Sequence, residues 1–276
     1  MRPDFFDVHA HVQFAAYDKD REEVLARAKE ARVWMVNVGT ERGTSEAAIA
    51  LAKKETEGVF ATVGLHPVRS REGSQRASAS NGVHPTSAVT TEKFDYEFYK
   101  KLGKDKSVVA IGECGLDYYR LSEDSKAEQK RVFLEHIRLA SELEKPLMIH
   151  CREAFADLID ILRAHEREVP QGIVHFMSGT KADAEALLDM GFSFSFGGVV
   201  TFTSDYDEVV RYVPKTNLLL ETDAPYVAPA PYRGKRNEPA YVVQTAKRIA
   251  ELQNTSVSVL GEETSANALA IFGLRK

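Results

Sequence analysis

Phe5-Phe6-Asp7-Val8-His9-Ala10-His11-Val12 opens as an apolar, partly β-branched run and ends in two imidazoles spaced i, i+2. On a β-strand, residues at that spacing point to the same face, so both imidazoles can hold one ion. Asp7 is in phase with them and is expected one step deeper, where it can orient a ligand or hold a water. A His-x-His pair on a solvated edge strand has the same local pattern, so the rest of the chain has to decide what this strand belongs to.

Moving outward, apolar runs of strand length recur at 33–40, 59–66, 108–113, 146–151, 172–177, 192–197 and 218–223. Between them lie longer segments with helical patterning at 19–32, 45–57, 94–101, 126–144, 153–168, 181–190, 205–212 and 238–253. The strands read as nearly continuous hydrophobic runs, as expected when both faces of a parallel sheet are covered. Eight strands, each followed by a helix, predict an α/β fold: a single-domain, closed (β/α)8 barrel spanning 1–276. One stretch breaks the rhythm. Residues 69–92 are rich in Ser, Ala, Gly and Thr without any period, which reads as a loop insertion after the third strand. On a barrel that loop emerges at the active-site face, either as a tolerated surface insertion or as a lid carrying Arg69, Arg71 and Arg76.

Composition narrows the function class. With 276 residues and 43% apolar content the chain can bury a full core. No apolar run approaches the roughly 18 residues of a membrane span, and the first residues lack the basic-then-apolar layout of a signal peptide. Two cysteines, Cys114 and Cys151, are too few for a disulfide framework, so a cytoplasmic protein is expected. A formal charge of −5 argues against coating nucleic acid through bulk charge. Any anionic substrate has to be attracted locally. No sustained heptad or repeat is visible, and a monomer is expected.

The polar residues supply that local attraction. Five of the eight histidines fall at the carboxyl ends of predicted strands: His9, His11, His66, His150 and His175. Glu113 and Asp223 end two more strands, whereas His84, His136 and His165 read as ordinary surface or packing residues. His9, His11, Glu113, His150, His175 and Asp223 are too many ligands for one tetrahedral ion and about right for two, with Glu113 bridging. Six such groups facing one another without a cation would be hard to desolvate. Two divalent ions would leave a net positive pocket in an acidic protein. Imidazole-rich ligands favour zinc or manganese, with magnesium a possible working ion. Arg152, in phase with His150, either offers its fork to a phosphate or begins the next helix. His66 has the same choice between a phosphate contact and strand-end packing. Asp223 is the candidate to orient an attacking water and take its proton, with Glu221 behind it or packed for structural reasons. Cys114 and Cys151 alternate with Glu113 and His150 and should point away from the mouth.

At this point the motifs carry a family resemblance. FDVHAHV, VGLHP around His66, IGECGLDYY around Glu113, IHCREA around His150, HFMSG around His175, ETDAPY around Asp223, then RGKRNEPAYV and NALAIF run in order over almost the whole chain. The sequence resembles the TatD-type metal-dependent deoxyribonucleases, a branch of the amidohydrolase-like hydrolases built on a distorted TIM barrel. The resemblance implies that His9, His11 and Asp223 hold one ion, that His150 and His175 hold the other, and that Glu113 bridges. It also implies hydrolysis of nucleic-acid phosphodiesters, with single-stranded DNA trimmed from the 3′ end. Val68 stands where the family often has a second His, Phe176-Met177 replaces the usual Cys-Phe, and the 69–92 stretch is longer than usual. Two other classes stay open: an amidohydrolase acting on a small amide or phosphoester, and a non-catalytic barrel. The first commonly bridges its metals with a modified lysine, where this chain offers Glu113.

Overall fold

The computed structural model describes residues 2–55, 57–70, 92–119 and 123–274. Most of the 69–92 stretch, with Arg71, Arg76 and His84, therefore lies outside the described residues. The chain forms the expected barrel. Eight parallel strands close in sequence order: β1 (Phe5–Ala10), β2 (Val33–Val38), β3 (Val59–Val63), β4 (Val108–Asp117), β5 (Leu147–Arg152), β6 (Gly172–Val174), β7 (Ser193–Phe196) and β8 (Leu218–Leu220). Helices cover the outside: α1 (Arg21–Glu30), α2 (Arg42–Lys54), α3 (Tyr96–Gly103), α4 (Glu123–Glu142), α5 (Phe155–Ala164), α6 (Lys181–Asp189), α7 (Asp207–Tyr212) and α8 (Val242–Leu252). Among the described residues, no helix is long and apolar enough to cross a membrane.

Local chemistry explains where these elements start. Thr44 sits inside α2 rather than ahead of it, because its hydroxyl reaches back to accept from the backbone N–H of Thr40 at 2.8 Å and of Glu41 at 3.0 Å. The helix therefore begins at Arg42, three residues before the expected start at 45. Asp95 caps α3 by accepting from Phe98 N at 3.1 Å. Thr180 and Asp183 form a reciprocal capping box at α6.

Two apolar clusters result. The larger packs the helices against the outer face of the strands. The smaller fills the barrel interior with Phe6, Val8, Val36, Val38, Met148 and Leu219, and it is closed from below by Leu269 and Phe272. Those last two come from α9 (Val257–Ile271) and the residue after it, a helix absent from the expected set. Its Ala, Ser, Thr and Gly content gives little contrast between faces, since it is read by burial against β1 and β8 rather than by an exposed polar side. Asn267 fixes it there, donating to the carbonyls of Lys215 at 2.7 Å and Leu218 at 3.0 Å.

Three strands stop three residues short of the expected end: β3 at Val63, β6 at Val174 and β8 at Leu220. His66, His175, Glu221 and Asp223 thus sit just past the ladders, where the backbone turns out of the sheet. Phe176 and Asp223 carry positive φ values of 45° and 52° there, a conformation costly for non-glycine residues and common where a side chain is re-aimed at a site.

Candidate metal centre

Glu113 is the hub of the barrel mouth. Two glycines aim it: Gly112 and Gly115 hold φ values of 144° and 128°, and a Cβ on either would lie 2.3 Å from Met148 O or 2.1 Å from His150 O. Between Ile111 and Cys114 the register of β4 against β5 shifts, and Glu113 turns into the mouth while Cys114 joins the outer core. Cys151 is buried in the same outer cluster.

Five imidazoles surround that carboxylate. Glu113 Oε1 lies 2.9 Å from His175 Nε2, 3.1 Å from His150 Nδ1 and 3.3 Å from His66 Nε2. Its Oε2 lies 3.6 Å from His9 Nε2 and 3.9 Å from His11 Nε2. Asp223 completes the ring from β8, with Oδ1 at 3.4 Å from His11 Nε2 and 3.9 Å from His9 Nε2. Burial opposes the charge on Glu113, yet the imidazoles hold its carboxyl well below the usual range. Asp223 is held low as well, against burial, by His11 and His9.

Hydrogen bonds outside the ring fix which nitrogen each imidazole presents. His11 Nδ1 lies 2.8 Å from Val38 O, so its proton sits there and the Nε2 lone pair faces Asp223. His150 is turned the other way: Nε2 lies 3.0 Å from Asp117 Oδ2, which leaves Nδ1 facing Glu113 and His175. Burial works against a charge on His150, but the bonds to Asp117 and Glu113 push it up to about 9. His66 differs again. Its Nδ1 accepts from Val68 N at 3.1 Å, so the proton is on Nε2 and this ring is a donor toward the centre. Burial keeps it neutral, down at about 4.

The donor set fits cations. His9 Nε2 and His11 Nε2 lie 3.2 Å apart, as do His150 Nδ1 and His175 Nε2. Two lone pairs facing at that distance would repel, so a proton or a cation has to lie between or beside them; a bound cation would take the place of the proton that His150 otherwise favours. The groups His9/His11/Asp223 and His66/Glu113/His150 each bring three ring-nitrogen or carboxylate atoms within 4.8 Å of one another, although His66 turns an N–H rather than a lone pair to the centre.

Two expected placements are corrected. Asp7 is not in phase with His9. Phe6 and Val8 on either side of it belong to the inner core, and β1 shifts register against β2 between Asp7 and Ala10. That bulge puts Asp7 on the seam with β8, where it accepts from Thr222 N at 3.0 Å, Thr222 Oγ1 at 2.5 Å and His9 N at 3.2 Å. Glu221 does not stand behind Asp223. It is fully buried beside His175, with Oε2 at 3.7 Å from Nδ1, and accepts from Phe176 N at 3.2 Å and from the Ser195 hydroxyl. Arg152 lies at the end of β5 with its guanidinium 3.6 Å over the Tyr119 ring. Asp117 was missed, although it follows Glu113 at i+4 on a strand and carries the one carboxylate that orients His150. His136, expected at the surface or in packing, is fully buried. It braces the approach to His66 by accepting from Leu65 N at 3.0 Å, and its Nδ1 lies 2.8 Å from Val132 O.

Known proteins resemble this chain over nearly its whole length. The model of the family described as TatD related DNase matches residues 6–273. A relative from Bacillus subtilis, named as the uncharacterized metal-dependent hydrolase YabD, is 38% identical over 97% of this chain and 98% of its own. The 3′-5′ ssDNA/RNA exonuclease TatD of Erwinia amylovora is 31% identical over 98% of this chain and 100% of its own. Among solved structures, the TatD homolog YjjV of Escherichia coli superposes with a TM-score of 0.84 at 26% identity, covering 100% of both chains. With a family match across nearly all its length and a metal-ready cluster at the barrel mouth, the chain belongs to the TatD family of metal-dependent hydrolases.

Proposed function

We propose that the protein hydrolyses nucleic-acid phosphodiester bonds, as a 3′–5′ exodeoxyribonuclease acting on single-stranded DNA, at two divalent metal positions in the barrel mouth. The observation that carries this reading is the convergence of four ligand imidazoles and Asp223 on one bridging carboxylate, Glu113. His9, His11 and Asp223 would hold one ion, His150 and His175 the other, and Glu113 would be shared. With four imidazole ligands, zinc or manganese is the tighter binder and magnesium a weaker working ion. When bound, the ions supply Lewis acidity toward the phosphate and lower the pKa of water toward ~7.

The chain's own residues do the rest. Asp223 is the more open of the two ring carboxylates, 14% exposed against 5% for Glu113. It orients the attacking water and receives its proton at a carboxylate oxygen. His66 presents Nε2–H and donates to a nonbridging phosphate oxygen. Arg152 stacks on Tyr119, a contact that uses none of the in-plane N–H donors, so its fork can take a second phosphate oxygen. Arg233 over Phe202, at 3.9 Å, repeats the cation–aromatic pairing on the loops after β7 and β8. Such pairs suit a single strand, whose bases stack on rings while its backbone meets cations. The name carried by the Erwinia relative supports the same substrate class.

The test is a 5′-labelled single-stranded oligonucleotide incubated with wild type and Glu113→Ala, each with added divalent metal and with chelator. A metal-dependent ladder shortening from the 3′ end, lost in the variant, is the expected result. Intact DNA and RNA in the presence of a wild type that holds two ions would sink the nuclease and point to small amide or phosphoester substrates.

A further inference from the structure

Two of the four ligand imidazoles have their outer nitrogen accounted for, His11 by Val38 O and His150 by Asp117. The other two do not. His9 Nδ1 and His175 Nδ1 are buried without a hydrogen-bond partner among the described residues, and Glu221 Oε1 is buried in the same condition. The three residues sit together: a nitrogen of each ring and a Glu221 oxygen lie within 4.8 Å of one another, and Glu221 Oε2 lies 3.7 Å from His175 Nδ1. The rings of His9 and His175 are stacked, with centroids 3.7 Å apart and planes 16° from parallel. Both turn Nε2 toward Glu113, which leaves both Nδ1 atoms on the side away from it.

A neutral imidazole that ligates through Nε2 carries its proton on Nδ1. The group behind the rings therefore consists of two N–H donors and one carboxylate oxygen, which is a hydrogen-bonding set rather than a further cation site. A third ion would require both rings to shed that proton. Atoms within 4.8 Å of one another share a centre at hydrogen-bond distance, about 2.8 Å, from each. One water there accepts from both N–H groups and donates to the carboxylate, making the roughly three bonds typical of a buried water.

We infer that Glu221, through one buried water, is the shared acceptor that sets the Nδ1–H tautomer of His9 and of His175, and so couples the two metal positions. This rests on the two-metal reading of the mouth. Because His9 serves one position and His175 the other, one carboxylate fixes a ligand of each. Glu221 is itself held by Ser195 Oγ and Phe176 N, which both donate to Oε2, the oxygen 3.7 Å from His175 Nδ1, and leave Oε1 without a protein partner among the described residues, open to the water. Gly197 lies close, and a Cβ there would meet Glu221 Oε1 at 3.4 Å.

Glu221→Gln separates this positioning role from packing. The volume is kept, but Ser195 and Phe176 demand an acceptor at the Oε2 position, so the amide NH2 takes the Oε1 position. Facing donors, it forces at least one ring toward the Nε2–H tautomer, which cannot ligate. Titration of metal-free protein with Mn2+ by calorimetry should show about 10- to 100-fold weaker binding at one position at least. Asp117→Asn should weaken only the position served by His150. In wild type loaded with Zn2+, nitrogen-15 spectra of labelled histidines should show protonated Nδ1 on His9 and His175, an arm that stands even where Glu221→Gln fails to fold. Wild-type affinity in Glu221→Gln, unprotonated Nδ1 in those spectra, or three ions per wild-type chain would each overturn the inference. A wild type that takes up no ion would instead overturn the two-metal reading beneath it.

Discussion

The two ends of one barrel are built on opposite terms. At the floor, Phe6, Val8, Val36, Val38 and Leu219 meet Leu269 and Phe272, and the ring of Phe6 stacks on Phe60 at 6.0 Å and packs against Phe272 at 5.8 Å. At the mouth, ring nitrogens face each other at 3.2 Å, buried polar atoms lack partners among the described residues, and Phe176 and Asp223 sit at positive φ. Apolar area at the floor stabilises the fold, whereas the mouth holds groups in arrangements that favour a ligand over the empty chain. Substitutions at the two ends should therefore separate activity from stability.

The sharpest break in that comparison comes from Asp223→Asn. Asn tolerates the positive φ, so the backbone is kept, but it can neither accept a proton nor match the ligand charge. Hydrolysis of the oligonucleotide should fall by about 10²- to 10⁴-fold. The urea midpoint of the metal-free protein should stay at the wild-type value. An equal fall in both would mean that the mouth is a structural element after all.

The reverse experiment is Phe6→Ala. Removing a fully buried ring from the floor should cost about 3–5 kcal/mol of stability, read by urea denaturation. Metal affinity and the specific activity of the folded fraction should not change. A loss of metal binding in this variant would show that floor and mouth are coupled through the strands.

His136 joins the two regimes, being buried core and also a brace beside His66. Burial lowers it to about 4 in the folded chain, below its ordinary 6.5. Above pH 6.5 it is neutral in both states and its contribution is fully present. Between 6.5 and 4 the unfolded chain takes up a proton that the folded chain refuses, so stability falls with pH by an amount on the order of 3 kcal/mol. The histidines of the mouth titrate in both directions, which makes the difference between wild type and His136→Gln the useful quantity. With chelator present, the drop in urea midpoint from pH 7.5 to pH 5 should be smaller in the variant.

The contrast between the ends also governs what could be read from the sequence. Strand and helix alternation, and the placing of His9, His11, Glu113, His150, His175 and Asp223 near strand ends, follow from periodicity. Periodicity fails where a ladder is irregular. Counting by twos from His9 puts Asp7 in the mouth, and the bulge in β1 removes it to the seam with β8. Counting by twos from Asp223 pairs it with Glu221, but β8 ends at Leu220 and the turn delivers Glu221 to His175. Asp117 is in phase with Glu113 at i+4, but a carboxylate that orients a ligand has no spacing rule of its own, so periodicity alone does not single it out. Helix α9 has almost no polar stripe, so only the exposed lower end of the barrel, once built, shows why a helix must cover it.

Arg152 sharpens the comparison within the mouth itself, between groups that face the metal positions and groups that face the substrate. It is the last residue of β5, two along from His150, yet its guanidinium lies over Tyr119 and not against Glu113. Removing it should leave metal affinity untouched. Loss of one charge-assisted phosphate contact is worth roughly 1.5 kcal/mol, about a 10-fold rise in KM for a single-stranded oligonucleotide, with kcat nearly constant. Arg152→Lys keeps the charge but not the planar stack or the fork, so it should recover only part of the loss relative to Arg152→Ala. Full recovery with Lys would reduce the role of Arg152 to a point charge. An unchanged KM in both variants, with a lowered melting temperature, would make the Tyr119 stack a packing contact and move the phosphate site elsewhere on the rim.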